Sequence, residues 1–193
     1  MTLTCCIPLV NLFAQVSFAP YDAYAGGSIT QVLATGDVNG DGADDVVMGT
    51  GFWSDPPHDY KLRVYLQAPG GLASVPVIYS YPALYPGLTA ISIGDVNNDG
   101  LNDVVIGYQD SIGVFYQNAG HTLDPIQVHA SGSGVDGIAI GDVDNDGLAD
   151  IVVSHWNETT IKVFYQVAGG FDTMTYQKPQ GGSDEINIGD VNG

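Results

Sequence analysis

Short apolar runs separated by Gly- and Asp-rich segments dominate this chain of 193 residues. The clearest of these runs are DVVMG, DVVIG and DIVVS, which are rich in Val and Ile. Such runs are typical of buried β-strands, and no segment shows the long amphipathic periodicity of a helix. The pattern therefore predicts an all-β protein.

The apolar runs recur in groups of four. Within a group, the first run precedes an acidic loop, the second follows it, and a Gly-rich turn separates the third from the fourth. The first runs are ITQVLAT, LTAISIG, VDGIAIG and EINIG, the third are LRVYLQ, IGVFYQ and IKVFYQ, and the fourth are VPVIYSY, PIQVHAS and TMTYQKP. The groups start 58, 47 and 48 residues apart, measured between successive loops from Asp37 to Asp190. This period and strand length predict the four-stranded antiparallel blades of a β-propeller.

The chain holds about three complete groups and parts of two others. Phe18 lies 19 residues before Asp37, as Leu123 does before Asp142, so the residues from about 18 onward resemble the outer strand of a preceding blade. Known propellers close with four to eight blades. The sequence therefore predicts an incomplete or open propeller whose edges meet other blades of a larger propeller or a second copy of the chain.

Three acidic loops repeat almost unchanged, as GDVNGDGADDVV, GDVNNDGLNDVV and GDVDNDGLADIV. Counted from the first Asp, each loop has acidic or amide side chains at positions 1, 3, 5 and 9 and Gly at position 6. Ca²⁺ takes six to eight oxygen ligands, which side chains at this spacing supply together with the carbonyl of position 7. The glycine suits the sharp turn that such a loop requires.

The loops predict about three Ca²⁺ ions per chain. A fourth copy, at 190–193, stops before its later acidic positions and is expected to hold no ion. The predicted ligands are Asp37, Asn39, Asp41, Ala43 and Asp45 in loop 1 (37–45); Asp95, Asn97, Asp99, Leu101 and Asp103 in loop 2 (95–103); and Asp142, Asp144, Asp146, Leu148 and Asp150 in loop 3 (142–150).

Three alternatives to this interpretation of the loops are weaker. An EF-hand requires a bidentate Glu at position 12, where this chain has Met48, Ile106 and Val153. The segments that contain these positions, DVVMG, DVVIG and DIVVS, are strand-like rather than helical, which also argues against a dockerin-type loop. A simple hairpin turn needs only two residues and does not require an acidic pattern nine residues long.

The three loop phrases, each followed by V(Y/F)(L/Y)Q and a Gly-rich turn, resemble FG-GAP/VCBS-type repeats. The best-known relatives of these repeats form the N-terminal propeller of integrin α subunits. The resemblance implies a β-propeller, usually of about seven blades, with calcium between the first two strands of a blade. It extends over residues 20–193. The chain lacks clear Phe-Gly and Gly-Ala-Pro elements and is nearer to the bacterial VCBS form.

Charge excludes two classes of partner. The formal net charge is −18, from 22 acidic residues against four Lys and Arg. Many of the acids lie in the predicted calcium loops, so the charge reflects metal chemistry. A chain this negative is not expected to bind nucleic acid or an anionic membrane, and no membrane insertion is predicted.

Residues 1–19 differ from the rest and predict a leader or signal peptide. They are largely apolar, and Ser17-Phe18-Ala19 resembles a cleavage site, although no Lys or Arg lies near Met1. The alternative is that 12–18 is a blade strand. Together with the calcium loops, this segment predicts a secreted or cell-surface protein.

A ligand-binding face is predicted at the end of the blades opposite the calcium loops. Loops that carry aromatic side chains on a rigid scaffold often bind ligands, here a protein or a carbohydrate. An alternative role for such side chains is to seal the interfaces between blades. The candidates are Trp53, His58, Tyr60, Tyr81, Tyr85, His155 and Trp156.

The sequence contains no recognisable catalytic motif, and the chain is predicted not to be an enzyme. The predicted function is therefore a calcium-stabilised module for extracellular recognition or adhesion. One alternative is a propeller polysaccharide lyase, for which His58, Tyr60 and Lys61 form the only local cluster. Another is a fragment of a larger propeller without separate activity.

Overall fold

The computed structural model describes residues 22–51, 59–82, 87–178 and 186–189. All regular structure in these ranges is β-strand, which confirms the predicted fold class. The same ranges contain no apolar helix of membrane-spanning length. The predicted leader, residues 1–19, and the fourth loop, 190–193, lie outside them.

Blade 1 is a four-stranded antiparallel sheet with the order β1-β2-β3-β6. A small separate hairpin of β4 and β5 continues outward from β3, so the predicted third run LRVYLQ is split after Tyr65. The strands are β1 (Thr30–Gly36), β2 (Asp45–Thr50), β3 (Lys61–Tyr65), β4 (Gln67–Ala68), β5 (Gly71–Leu72) and β6 (Val77–Ser80).

Blades 2 and 3 repeat this design, with the strand orders β7-β8-β9-β12 and β13-β14-β15-β16. In blade 3 the outer hairpin is continuous, since β15 pairs with β16 along its whole length. The strands are β7 (Leu88–Gly94), β8 (Asp103–Tyr108), β9 (Ser111–Phe115), β10 (Gln117–Asn118), β11 (Thr122–Leu123), β12 (Gln127–Ala130), β13 (Val135–Gly141), β14 (Asp150–His155), β15 (Thr160–Val167) and β16 (Gly170–Gln177). Three four-stranded blades therefore lie in the described residues, as predicted.

The first strands of successive blades lie side by side because glycines allow close approach. A Cβ atom built on Gly36 would come within 2.8 Å of Ile93 Cγ2, and one on Gly94 would come within 2.8 Å of Ile140 Cγ2. The glycine that ends one inner strand thus accommodates the isoleucine of the next. This contact repeats with the same register from blade to blade.

A β-bulge at the start of each inner strand also joins neighbouring blades. The register shifts between Thr30 and Val32 and again between Leu88 and Ala90. The side chains of the intervening residues reach the next blade: Gln31 Oε1 accepts the Leu88 amide at 3.0 Å, and Thr89 Oγ1 donates to the Val135 carbonyl at 2.6 Å. The bulges therefore direct polar side chains across the interface between blades.

The hydrophobic core is divided between the blade interfaces. Leu62, Ile106 and Phe115 are buried in the cluster shared by blades 1 and 2. Ile151 and Phe164 are buried in the second cluster, between blades 2 and 3. Because each cluster needs side chains from two sheets, a blade obtains its stability from its neighbours.

Parts of further units lie at both ends of the described structure. Tyr24 packs against Tyr65 with their ring centroids 5.6 Å apart, where a preceding blade would supply its outer strand. At the other end, the EINIG segment is predicted as a strand, but its residues 186–189 form no β-ladder. Ile188 nevertheless takes the position over Gly141 that Ile140 takes over Gly94.

Candidate calcium loops and the opposite end of the blades

The three loops join the first and second strands of their blades, and the outer Gly-rich turns lie at the same end. The aspartate at position 9 connects the two elements. Asp45 accepts the Val38 amide at Oδ2 (3.1 Å) and the Gln67 amide at Oδ1 (2.8 Å). Asp103 and Asp150 make the corresponding bonds, to Val96 and Gln117 and to Val143 and Gln166. This aspartate therefore holds the loop to the start of the outer turn.

The position-1 aspartate organises the loop from within. Asp37 Oδ1 accepts the amides of Asn39, Gly40 and Asp41 at 3.2, 2.6 and 3.2 Å. Its Oδ2 accepts the Gly42 amide at 2.8 Å. Burial acts to raise the pKa of Asp37, but these four bonds stabilise the carboxylate and leave its pKa below the ordinary value.

The aspartates that open loops 2 and 3 make the same kind of bonds. Asp95 Oδ2 accepts the Gly100 amide at 2.8 Å, and Asp142 Oδ2 accepts the Gly147 amide at 2.9 Å. Each therefore wraps its loop around one carboxylate.

Positions 4 and 6 have left-handed backbone conformations in all three loops. Gly42, Gly100 and Gly147, at position 6, have φ of 85°, 85° and 89°, and no atom would lie within 4 Å of an added Cβ. The glycines are therefore needed for their backbone angle and not for space. Position 4 is Gly40, Asn98 or Asn145, with φ of 73°, 61° and 66°. The role of position 4 was missed from the sequence, although Gly and Asn are the residues that tolerate this conformation.

Loops 1 and 2 differ from loop 3 at position 3. Asn39 Nδ2 donates to Asp41 Oδ2 at 3.1 Å, and Asn97 Nδ2 donates to Asp99 Oδ2 at 3.0 Å. Loop 3 has Asp144 there, which has no amide to donate. Its Asp142, Asp144 and Asp146 each place a carboxylate oxygen within 4.8 Å of the others.

Burial and crowding raise the pKa of several loop carboxyls. Burial raises the pKa of Asp103 to about 6, with the charges of Asp99 and Asp95 adding to it. Burial likewise raises the pKa of Asp45. Partial loss of water, followed by the charges of Asp146 and Asp150, raises the pKa of Asp144. These loops hold negative charge at an energetic cost that a bound cation would relieve.

The four basic residues of the chain all bond to groups at the other end of the blades. Lys61 donates to Ser80 Oγ at 3.1 Å, and Arg63 pairs with Asp59. Lys162 donates to the Ala130 carbonyl at 2.8 Å, and Lys178 donates to the His155 carbonyl at 3.2 Å. Because these are the only Lys and Arg of the chain, no lysine or arginine side chain is left to neutralise the loops. Their clustered hard oxygen donors fit a divalent cation.

Blade 2 covers loop 1. His121 Nδ1, from the outer turn of blade 2, is hydrogen-bonded to the Asn39 carbonyl. Asn102, at position 8 of loop 2, donates to the Asp37 carbonyl at 3.1 Å. The turn of blade 3 has Gly169 and Gly170 near loop 2, and a cavity of about 320 Å³ remains there. The covering of a loop therefore depends on the turn sequence of the next blade.

The predicted ligand face divides into buried and exposed residues. Tyr81 is buried, and its hydroxyl donates to the Thr50 carbonyl at 2.8 Å. His155 is also buried, and its Nε2 lies 3.1 Å from Ser131 Oγ. Burial lowers the pKa of this histidine. Tyr60 is half-buried, whereas Trp156 is 59% exposed. Trp53, His58 and Tyr85 lie outside the described residues.

A series of aromatic residues across the blade interfaces was missed from the sequence. Tyr79 in blade 1 packs edge-to-face on Phe115 of blade 2, with centroids 6.0 Å apart. His129 of blade 2 makes the same contact with Phe164 of blade 3, at 6.4 Å. The available signal was an aromatic ring at one position of each fourth run, which in blade 3 is Tyr176.

Comparisons with known proteins agree with this architecture. The model of the FG-GAP-like repeat family matches residues 37–106 and 95–153. Among curated proteins, integrin alpha pat-2 of Caenorhabditis briggsae is 35% identical over an alignment of 115 residues, with coverage of 51% of this chain and 9% of that protein. Integrin alpha pat-2 of Caenorhabditis elegans gives the same values. Integrin alpha-PS2 of Drosophila melanogaster is 32% identical over an alignment of 110 residues, with coverage of 49% of this chain and 8% of that protein. The matches thus span about a tenth of the length of these relatives.

Proposed function

The chain belongs to the FG-GAP-like repeat family, and we propose that it is a calcium-binding, calcium-stabilised propeller module for extracellular recognition or adhesion. The observation that carries the calcium proposal is the separation of charge. Three loops concentrate carboxylates at one end of the blades, while every Lys and Arg is bonded at the other. A divalent cation is the neutralising partner that these loops lack.

The proposed ligands in each loop are the side chains at positions 1, 3, 5 and 9 and the carbonyl at position 7. Position 9 has a second role, because Asp45, Asp103 and Asp150 already accept one amide from the loop and one from the outer turn. A cation bound to this carboxylate would therefore hold both segments. Calcium would stabilise the blade by joining elements distant in the sequence.

Titration calorimetry of the whole chain, after removal of metal, tests this proposal. We expect about three Ca²⁺ sites, and one fewer in the Asp99→Ala variant. Asp110→Ala changes an exposed aspartate at the opposite end and serves as the matched control with three sites. A stoichiometry near zero, or an unchanged stoichiometry in Asp99→Ala, would contradict the assignment.

We further propose that the outer face of blade 3 binds another blade of the same repeat. Val143, Met174 and Tyr176 are exposed there. Tyr176 pairs with Ile161, as Tyr79 pairs with Leu62 and His129 with Ile112. It therefore occupies the position from which blades 1 and 2 contact the next blade, and its expected partner is an aromatic residue in the third strand of that blade.

Sedimentation velocity tests this interface with the chain itself, because a second copy carries blades of the same repeat. We expect concentration-dependent association that Tyr176→Asp or Met174→Asp reduces. Val75→Asp introduces the same charge at an exposed valine outside this face and serves as the control. A monomer at every concentration, or equal association of all variants, would count against the proposal.

The integrin alpha relatives and the predicted leader support a secreted or cell-surface location. The end of the blades opposite the loops is the proposed recognition face, with a protein or a carbohydrate as its ligand. Trp156 is its most exposed described candidate.

A further inference from the structure

We propose that a cavity between blades 2 and 3 binds a neutral sugar ring stacked on Trp156. The cavity has a volume of about 630 Å³, which lies within the range of small-molecule sites. This inference rests on the proposed recognition function and names its ligand class. The lining residues used below are Thr89, Gln109, Asp110, Ser133, Val135 and Trp156.

Backbone hydrogen bonds between the two blades fix the walls of this cavity. The Gln109 carbonyl accepts the amides of Gly134 and Val135 at 2.9 and 2.8 Å. The Asp110 carbonyl accepts the amides of Ser131 and Gly132 at 2.8 and 3.1 Å. A short turn of blade 2 is thereby joined to the crossover into blade 3, so the cavity is already formed before a ligand binds.

Gly134 positions the indole of Trp156. The Trp156 amide donates to the Gly134 carbonyl at 2.9 Å, and a Cβ atom on Gly134 would lie 2.3 Å from the indole nitrogen. Only glycine leaves space for the ring here. The backbone of Trp156 is fixed by this hydrogen bond and its indole lies against Gly134, yet the residue remains 59% exposed. A large, fixed and exposed aromatic surface beside a cavity is suited to an apolar ligand face.

The polar groups around the indole suit hydroxyl groups. Asp110 Oδ1 accepts a hydrogen bond from Ser111, which leaves further acceptor capacity on this exposed carboxylate. Ser133 Oγ accepts from Asn157 Nδ2 at 3.0 Å and so has its own hydrogen to donate. Thr89 Oγ1 donates its one hydrogen to the Val135 carbonyl at 2.6 Å, and its lone pairs can accept a hydrogen bond. The site thus offers both donors and acceptors.

A pyranose ring has this combination of surfaces, with C–H groups on one face and hydroxyls around its edge. No Lys or Arg lines the cavity, Asp110 is negative, and the chain carries a net charge of −18. An acidic sugar would therefore be repelled. Neutral sugars are the class that the shape and the charge favour together.

The test uses the calcium-loaded chain and a glycan array of neutral and sialylated or sulfated oligosaccharides. The strongest neutral ligand is then titrated by calorimetry and by tryptophan fluorescence. We expect Trp156→Ala to weaken binding about tenfold or more, as truncation of an aromatic anchor usually does. Trp156→Phe should retain measurable affinity but lose most of the fluorescence change, because one of only two tryptophans has been removed.

The control is Val75→Ala, an exposed apolar residue that does not line the cavity, which should bind like the unchanged chain. Melting temperatures of all variants should agree, since Trp156 is exposed. The inference is overturned if no neutral glycan binds at about 10 mM, if only acidic glycans bind, or if Trp156→Ala binds as well as the unchanged chain. A peptide or protein ligand that depends on Trp156 when no glycan binds would also overturn it. Because calcium stoichiometry is measured separately, a negative result for sugar binding does not affect the calcium proposal.

Discussion

Loop 1 and loop 3 share one sequence pattern but have different surroundings. In both, the first aspartate accepts the amide of the position-6 glycine, and the position-9 aspartate accepts two further amides. Yet the position-2 valine is 2% exposed in loop 1, as Val38, and 40% exposed in loop 3, as Val143. The backbone path of a loop is therefore set by its own residues, whereas its burial is supplied by the next blade.

The two loops also differ in charge at position 3. Asn39 is nearly buried beneath blade 2, while Asp144 is exposed and adds a further carboxylate to loop 3. A neutral amide is less costly than a carboxylate where water is scarce, because burial of an unpaired charge is unfavourable. A carboxylate is tolerated where water is available to solvate it. Loop 1 should thus depend on its neighbour for order, and loop 3 should depend on its cation.

Removal of calcium should have the largest effect and should separate the two loops. At a calcium concentration 100 times the dissociation constant, each site contributes about 2.7 kcal/mol, so EGTA should lower the melting temperature strongly. Hydrogen exchange should increase more across loop 3 than across loop 1, because blade 2 bonds to the Asp37 and Asn39 carbonyls of loop 1. Calorimetry and exchange mass spectrometry measure the two effects. An unchanged melting temperature would exclude calcium stabilisation. Equal hydrogen exchange in both loops would show that contact with blade 2 does not protect loop 1.

Loss of the position-9 aspartate should be costly in both loops, even without calcium. Asp45→Ala and Asp150→Ala each leave two backbone amides without an acceptor, so we expect a loss of about 2–4 kcal/mol in the free energy of unfolding. Asp41→Ala and Asp146→Ala are the matched controls within the same loops and should have much smaller effects in EGTA. Urea denaturation gives the values. If the controls cost as much as the position-9 variants, the hydrogen bonds do not have the structural role assigned here.

Substitutions at position 3 of loops 1 and 3 should alter calcium affinity in opposite directions. Asp144→Asn removes a carboxylate from loop 3 and should weaken that site on the order of tenfold, since ligand charge tunes affinity. Asn39→Asp adds charge to the covered loop and should strengthen binding there, but it should destabilise the calcium-free chain. Calorimetric titration and melting in EGTA provide the two measurements. Affinities that do not respond to either substitution would show that position 3 does not bind the ion.

A change of pH should have the smallest effect, with a sign that depends on calcium. Burial raises the pKa of Asp103 to about 6 in the folded chain, against an ordinary value of 3.8. The folded state therefore binds this proton first, and lowering the pH from 7 to 5 in EGTA should stabilise the chain through Asp103. With calcium present, the same change protonates ligands and should destabilise it. Melting curves at both pH values, with EGTA and with calcium, test the reversal. If the melting temperature shifts in the same direction in EGTA and in calcium, Asp103 is not part of the metal site.

The sequence predicted the elements that depend on local pattern. Runs such as DVVMG become buried second strands, and three blades of four strands are confirmed. The acidic spacing also located the loops correctly between first and second strands. These predictions succeeded because alternation, turn residues and ligand spacing are properties of neighbouring residues.

Contacts between blades were not accessible in the same way. The sequence grouped Tyr81 and His155 with Trp156 as aromatic loop residues, but the first two are buried and the third is exposed. Burial there is decided by the adjacent blade and its crossover. The second role of Asp45, as acceptor for the distant Gln67 amide, depends on a contact 22 residues away along the chain and has no local signal.

The placement of all four cations at one end also makes the chain an electric dipole. Its acidic loops should turn toward a positively charged surface and leave Trp156 facing outward, even though the whole molecule is anionic. Calcium would reduce the negative pole and with it this preferred orientation. The ion would then influence the orientation of the molecule at a charged surface, in addition to its stability.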